Sequence, residues 1–314
     1  MTRKEQIMDL WRICFDDSEE FIQVYFEQVY KEANALTIEQ EGRIIAALQI
    51  IPYTMTWCET ELTLSYISGA CTAPEERGKG HMGRLLTMAF QKMRERQTDL
   101  TALIPAEPWL FDYYRKLGYT ETFDYALIPF EHKTGQETAS SYSFFSLDVK
   151  AGDIWYAFFD RKLRERPLCI LHTREDFHTI LRDIQMSKGQ TIGVTDSLGK
   201  PVGMAFIVPE KNNIYIKEIL YENDAVKNIL WQKGTELFGA KQGVCKLPVS
   251  HTETAHPLGM SLILNKEKMI NRWLAKHPHT SFCVEEMREL EDATLTRTLL
   301  GYADREGYMS LMLD

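Results

Sequence analysis

The stretch Ala70-Cys71-Thr72-Ala73-Pro74-Glu75-Glu76-Arg77-Gly78-Lys79-Gly80-His81-Met82-Gly83-Arg84 sets the layout of everything around it. A run with strand character, 62–72, leads into it, and a run with helical periodicity leads out. Gly78, Gly80 and Gly83 sit at the junction among Arg77, Lys79 and Arg84. A strand feeding a glycine-rich turn and then a helix builds an anion site. The free N–H groups of the first helical turn point outward, and the helix dipole favours negative charge there. Glycine lets the backbone come close to a ligand because no Cβ intervenes. The turn is therefore expected to hold the pyrophosphate of a cofactor.

The elements before the junction read as helix, helix, then strands. Residues 4–31 carry apolar stripes at helical spacing, interrupted at Asp16-Asp17-Ser18. Strands are expected at 35–39, 43–57 and 62–72, with turns at Glu41-Gly42 and Cys58–Glu61, which implies an antiparallel meander. After the junction, Met82, Leu85, Leu86, Ala89, Phe90 and Met93 follow helical spacing through residue 96. A buried-type strand at 100–104 ends at Pro105. A short helix at 108–117 is stopped by Gly118, and 119–130 reads as a strand or hairpin.

Residues 131–143 are small and polar and read as a linker. Beyond it the order of elements repeats: helices at 152–164 and 174–187, strands at 191–194, 202–208 and 214–220, a helix at 225–238 ended by Gly239, and a strand at 244–247. The matching junction reads Tyr221-Glu222-Asn223-Asp224, without glycine or arginine and with two acids where a phosphate would sit. Like charges repel, so this copy is not expected to bind a phosphorylated cofactor. A strand at 260–264, helices at 266–276 and about 292–300, and an alternating tail at 308–314 with strand character complete the chain.

A net charge of −9 over 314 residues, without a long basic run, argues against nucleic acid as the main partner. The start of the chain is polar, and no apolar run approaches transmembrane length, so no membrane role is expected. The six cysteines, Cys14, Cys58, Cys71, Cys169, Cys245 and Cys283, form no Cys-x-x-Cys pair, and a reduced cytoplasmic protein is the simplest reading. His251 and His256 suggest a metal only superficially: the spacing is not that of a zinc helix and no third ligand is evident.

With these elements in place, Arg77-Gly78-Lys79-Gly80-His81-Met82 resembles the Arg/Gln-x-x-Gly-x-Gly/Ala signature of the Gcn5-related N-acetyltransferases (GNAT). Met82 departs from the last position, and Gly83 follows it. That departure is similar to the branch that includes the enhanced-intracellular-survival aminoglycoside acetyltransferases. Tyr114-Arg115-Lys116-Leu117-Gly118-Tyr119 resembles a second element of the family, one helix and one strand later. The resemblance implies an α/β fold with a mixed sheet, in which two such domains follow one another and the second is degenerate. The expected division is a catalytic domain at 1–135, a second domain at 145–265, and a short extension at 266–314 packed on the second domain.

The resemblance further implies acetyl-CoA as cosubstrate, a primary amine of a small molecule as acceptor, direct attack without a covalent enzyme intermediate, and an oligomer as a plausible assembly. It assigns the pyrophosphate to backbone N–H groups around Arg77, Gly78, Lys79, Gly80, Met82 and Gly83, with the two basic side chains as charge support. Ala70, Cys71 and Thr72 would offer main-chain bonds to pantetheine and a donor to the acetyl carbonyl, the Cys71 side chain being a small buried strand residue. Tyr114 is the candidate general acid for the departing thiolate, and Tyr113 beside it is read as core. His81 is read as a turn residue close to the cofactor. Trp57, Trp109 and Phe111 are candidates for an acceptor pocket, though such aromatics are more often core. In the branch named above the C-terminal carboxylate reaches the active site, which makes Asp314 a further candidate. A non-catalytic acyl-CoA-binding module, and an acyl or aminoacyl transferase of the same architecture, are the alternatives.

Overall fold

The computed structural model describes residues 1–132, 141–250 and 254–313. Chain order begins with helices α1 (Arg3–Cys14) and α2 (Glu19–Val24), then strands β1 (Ala35–Gln40), β2 (Arg43–Trp57) and β3 (Thr60–Thr72). Helix α3 (His81–Glu95), strand β4 (Leu100–Leu103), helix α4 (Pro108–Arg115) and strand β5 (Thr120–Glu131) follow. The middle holds β6 (Ser143–Leu147), α5 (Asp153–Arg164), β7 (Leu168–Leu171), α6 (Arg174–Met186), β8 (Gln190–Thr195), β9 (Pro201–Glu210), β10 (Asn213–Tyr221), α7 (Asp224–Phe238) and β11 (Gln242–Leu247). Strand β12 (His256–Ile263) and helices α8 (Lys266–Lys276), α9 (Val284–Arg288) and α10 (Asp292–Leu299) come last. This is a mixed α/β fold, as the sequence implied.

The chain divides into two compact units, one of 1–123 with 257–307 and the other of 124–256 with 308–313. In the first, the strands lie in the order β1–β2–β3–β4–β12; β3 and β4 are parallel and the other neighbours antiparallel. Strand periodicity sends alternate β2 side chains to opposite faces. Ala46, Leu48 and Ile50 pack with α3 (Leu85, Leu86, Ala89, Met93) and with Tyr114. Ala47 and Ile51 pack with Ile7, Leu10 and Trp11 of α1 and Ile22 of α2.

The second unit orders its strands β6–β8–β9–β10–β11–β5, with β10 and β11 parallel and joined through α7. Its run β9–β10–α7–β11 thus repeats the run β2–β3–α3–β4. Phe159, Phe177 and Ile180, from α5 and α6, line one face with Met204 and Phe206. Val226 and Leu230 of α7 line the other with Ala205, Ile207 and Ile214.

Two expectations change. Residues 257–307 cluster with the first unit. The cause is the open side of β4: all four of its residues are buried, and β12 pairs along it from Met260↔Leu103 to Ile263↔Leu100. Helix α8 adds Lys268 Nζ at 2.5 Å and Arg272 Nη1 at 3.4 Å from the buried Asp99 carboxylate. The tail is a strand only at Gly307–Tyr308. Tyr308, Met309, Ser310 and Leu311 are buried in succession rather than alternately, and Leu311, at φ +53°, leaves extended geometry. Residues 120–131 form one strand, one of the two forms expected. Most of the expected linker (133–140), His251 to Glu253, and Asp314 lie outside the described residues.

Candidate active site

The site begins where β3 outruns its neighbour. Parallel pairing with β4 covers only Leu64 to Tyr66, yet β3 continues to Thr72. Main-chain groups of 67–72 on that side are left without a ladder partner in β4. On the other side, the register with β2 slips between Ala47↔Cys71 and Gln49↔Ser68, so Gly69 and Ala70 oppose Leu48 alone. This is a bulge, and it bends the strand end. Gly69 has φ +59°, and a Cβ there would lie 2.2 Å from Cζ3 of Trp11. Only glycine fits.

The turn itself is tied down at its start. Ala73 N–H donates to the Ile45 carbonyl at 2.8 Å, and Pro74–Glu76 make one 3-10 turn. Arg77 Nε donates to the Thr72 carbonyl at 3.1 Å. Glu76 sits between Lys79 Nζ at 3.0 Å and His81 Nε2 at 3.1 Å, and the Lys79 bond comes first among the causes that hold its carboxyl below the usual range. Arg77, Gly78, Lys79 and Gly80 are exposed.

Helix α3 starts without a side-chain cap, because its N-cap is Gly80 at φ +82°. Its first internal bond runs from Arg84 N–H to the Gly80 carbonyl at 3.2 Å. The N–H groups of His81, Met82 and Gly83 precede that bond and carry the helix's positive end. Gly78, at φ +77°, and Gly80 are explained by their backbone conformation. Gly83 is not: its φ is not positive, and a Cβ there would meet nothing within 4 Å. Glycine inside a helix costs about 1 kcal/mol relative to alanine, so the fold alone gives no reason for it, whereas close approach of a ligand to the backbone does. If the turn holds a cofactor's pyrophosphate as expected, Gly83→Ala should leave the melting temperature unchanged or raise it, and weaken binding of acetyl-CoA in calorimetry. A variant that binds as tightly as wild type would show that Gly83 is not part of the anion site.

Tyr114 lies on α4 and is buried at 7% exposure. Its ring packs edge-on against Tyr113 at 5.3 Å and Tyr119 at 5.7 Å between centroids. Burial, and then the neighbouring Tyr113, push its phenol up to about 12. Its hydroxyl bonds no described side chain or carbonyl, unlike that of Tyr119, which reaches Thr101 Oγ1 at 3.1 Å. The phenol therefore keeps its proton at neutral pH and has it free to donate. Tyr113, read as core, is only half-buried.

Ala70 and Met82 border the apolar cluster that contains Tyr114, while Cys71 faces the cluster of α1 and α2. Trp57 is core: it is 2% exposed and its Nε1 donates to the Leu299 carbonyl at 2.8 Å. Phe111 packs partly against the Tyr114 cluster, and Trp109 is exposed. Sequence reasoning missed Gly69 and Cys14. A glycine inside a strand run was the available signal for the bulge; nothing local announced Cys14.

In the second unit, the counterpart of α3 is closed off. Asn223 caps α7 by accepting from Val226 N–H at 3.1 Å. Glu222 is paired with Arg161 at 2.5 Å, and Asp224 adds an acid to the first helical turn.

A family model described as the acetyltransferase (GNAT) domain matches residues 2–122. Residues 2–122 are thus similar to an acetyltransferase (GNAT) domain. The matched stretch contains the entire candidate site from Gly69 to Tyr114. No curated protein matches the chain in sequence. Among solved structures, the chain is similar to a conserved protein of unknown function and probable N-acyltransferase from Enterococcus faecalis, at 13% identity and TM-score 0.73 over 86% of this chain and 72% of that one. A GCN5-related N-acetyltransferase from Anabaena variabilis aligns at 18% identity and TM-score 0.70 over 85% and 71%. Eis1 from Mycobacterium abscessus aligns at 11% and 0.65 over 86% and 74%. At such identities these likenesses establish the fold. No helix among the described residues is long and apolar enough to cross a membrane.

Proposed function

We propose that the chain transfers an acetyl group from acetyl-CoA to a primary amine of a small molecule. The observation that carries this reading is the uncapped, glycine-started N-terminus of α3 beside a strand that runs past its last pairing with β4. The pyrophosphate binds the N–H groups at Met82 and Gly83, with Gly78 and Gly80 shaping the turn and Arg77 and Lys79 supplying charge. Pantetheine lies along Ala70, Cys71 and Thr72 as an added strand would, using main-chain groups that β4 leaves without a ladder partner. The amine attacks the thioester carbonyl directly, a main-chain N–H of that segment stabilises the developing oxyanion, and Tyr114 protonates the leaving thiolate. The chain then holds one cofactor site and not two, because the cap at Asn223 and the acids beside it occupy the equivalent position in a degenerate second domain. The tandem layout supports kinship with the enhanced-intracellular-survival branch.

Calorimetry with acetyl-CoA, followed by thiol release across a panel of amines, tests the reading. One binding event per chain and amine-dependent thiol release are expected. Binding without release from any amine favours the non-catalytic acyl-CoA module, and absence of binding by any acyl-CoA removes the cofactor assignment. Arg77→Ala is expected to weaken binding and to flatten its dependence on salt, because the charge it removes acts on phosphate. An unchanged affinity would leave Arg77 with only its bond to Thr72.

A further inference from the structure

Cys14, the last residue of α1, and Cys71, near the end of β3, meet in the cluster that also holds Trp11 and Tyr25. The two thiols lie close enough to shift each other's titration, Cys14 down and Cys71 up. Cys14 Sγ also lies 3.4 Å from the Thr72 carbonyl, the oxygen that accepts from Arg77 Nε at 3.1 Å. The two sulfurs, Thr72 and Arg77 thus form one cluster at the root of the turn. Cys14 is half-buried and Cys71 buried, so a small oxidant reaches the first before the second.

We propose that Cys14 and Cys71 are a redox-active dithiol that a hydroperoxide closes to a disulfide and a thiol reductant reopens, and that closure weakens acyl-CoA binding at the turn. The coupling to acyl-CoA rests on the proposed function; the disulfide does not. The roles of the two sulfurs follow from their surroundings. The neighbouring Cys71, and then Arg77, bring Cys14 down to about 6, which makes it the thiolate that attacks. The neighbouring Cys14, and then burial, hold Cys71 well above its usual range, which keeps it a thiol until it is needed.

In the first step the Cys14 thiolate attacks hydrogen peroxide. An S–O bond forms, the O–O bond breaks, sulfur loses two electrons and hydroxide leaves. In the second step the Cys71 sulfur attacks the Cys14 sulfenic acid as its proton departs. The S–S bond forms, the S–O bond breaks, and the hydroxyl leaves as water with that proton. A disulfide brings two sulfurs to about 2.05 Å, far closer than two unbonded thiols can approach. Closure therefore draws Cys71 toward α1 and shifts Thr72, the residue that anchors Arg77 and would contact pantetheine.

The test treats the reduced full chain with hydrogen peroxide and reads intact mass, cross-linked peptides and acetyl-CoA affinity. Loss of two hydrogens, a peptide joining Cys14 to Cys71, and reversal by dithiothreitol are expected. Affinity is expected to fall about tenfold on oxidation, within the range of ordinary coupling between sites, and to return on reduction. Cys14→Ser should bind acetyl-CoA as the reduced protein does and ignore peroxide. Added oxygen on Cys14 without a cross-link, or a cross-link to the exposed Cys283 instead, overturns the pairing. A Cys14–Cys71 cross-link with unchanged affinity overturns the coupling. A reduced protein that binds no acyl-CoA overturns the proposed function and the coupling with it, while the mass still decides the disulfide.

Discussion

Tyr114→Phe should lower turnover by about 10²-fold or more, the usual worth of a general acid, with little change in acetyl-CoA affinity or melting temperature. The substitution removes one oxygen and keeps the ring that packs against Tyr113 and Tyr119. No hydrogen bond to a described residue is lost with it, so a structural role predicts almost no effect. The pH dependence sharpens the contrast. Burial disfavours the phenolate and pushes Tyr114 up to about 12, against about 10 for a free phenol. The acid form is then kept below that value and lost only as pH rises through it, so turnover should show no alkaline fall up to about pH 11. An acid limb from the amine acceptor remains in both proteins, because attack needs the neutral amine. Steady-state kinetics from pH 6 to 11 on both proteins give the answer, and a variant with wild-type turnover removes Tyr114 from the chemistry.

The parts of the site that sequence made legible are those whose cause is local. Gly78 and Gly80 mark left-handed backbone, the spacing of Leu85, Leu86, Ala89 and Met93 marks the buried face of α3, and Gly118, at φ +90°, ends the helix that carries Tyr114. The parts that escaped depend on contacts distant in sequence. The bulge at Gly69 exists because Trp11 of another element fills the space a Cβ would need. Cys14 gains meaning only beside Cys71. Strand β7, four residues between two helices, is too short for a period to show. The placement of 257–307 turned on an unsatisfied side of β4, which no reading of neighbours along the chain reveals. The tail shows the opposite error: its pattern suggested a strand exposed on one side, yet Tyr308, Met309, Ser310 and Leu311 are all buried, so the pattern carried no ladder.

Glu218→Ala should be among the most destabilising single substitutions in the chain, and its cause lies in the second unit alone. Glu218 of β10 is fully buried and sits where the register with β9 slips, between Ile216 and Glu218. Its carboxylate accepts from Arg166 Nη2 at 2.8 Å and Nη1 at 2.9 Å, and Oε1 also accepts from Ile219 N–H at 2.9 Å. The guanidinium lies 4.7 Å from the centroid of the Tyr308 ring, in the segment that Lys246 Nζ holds at the Met309 carbonyl and His172 Nε2 at the Ser310 carbonyl. Removing the carboxylate leaves Arg166 charged and enclosed, which costs about 3–5 kcal/mol when a buried pair loses one partner. Replacing both partners by apolar residues of similar volume, Arg166→Met with Glu218→Leu, removes the charge as well as the bond and should recover most of that loss. Urea unfolding of the two variants separates the explanations: if the double variant is as unstable as the single one, the cost comes from packing around β10 and not from the loss of the carboxylate opposite Arg166. Limited proteolysis of the single variant should also cut first near Tyr308, since the tail loses the fixed guanidinium on which its aromatic ring rests.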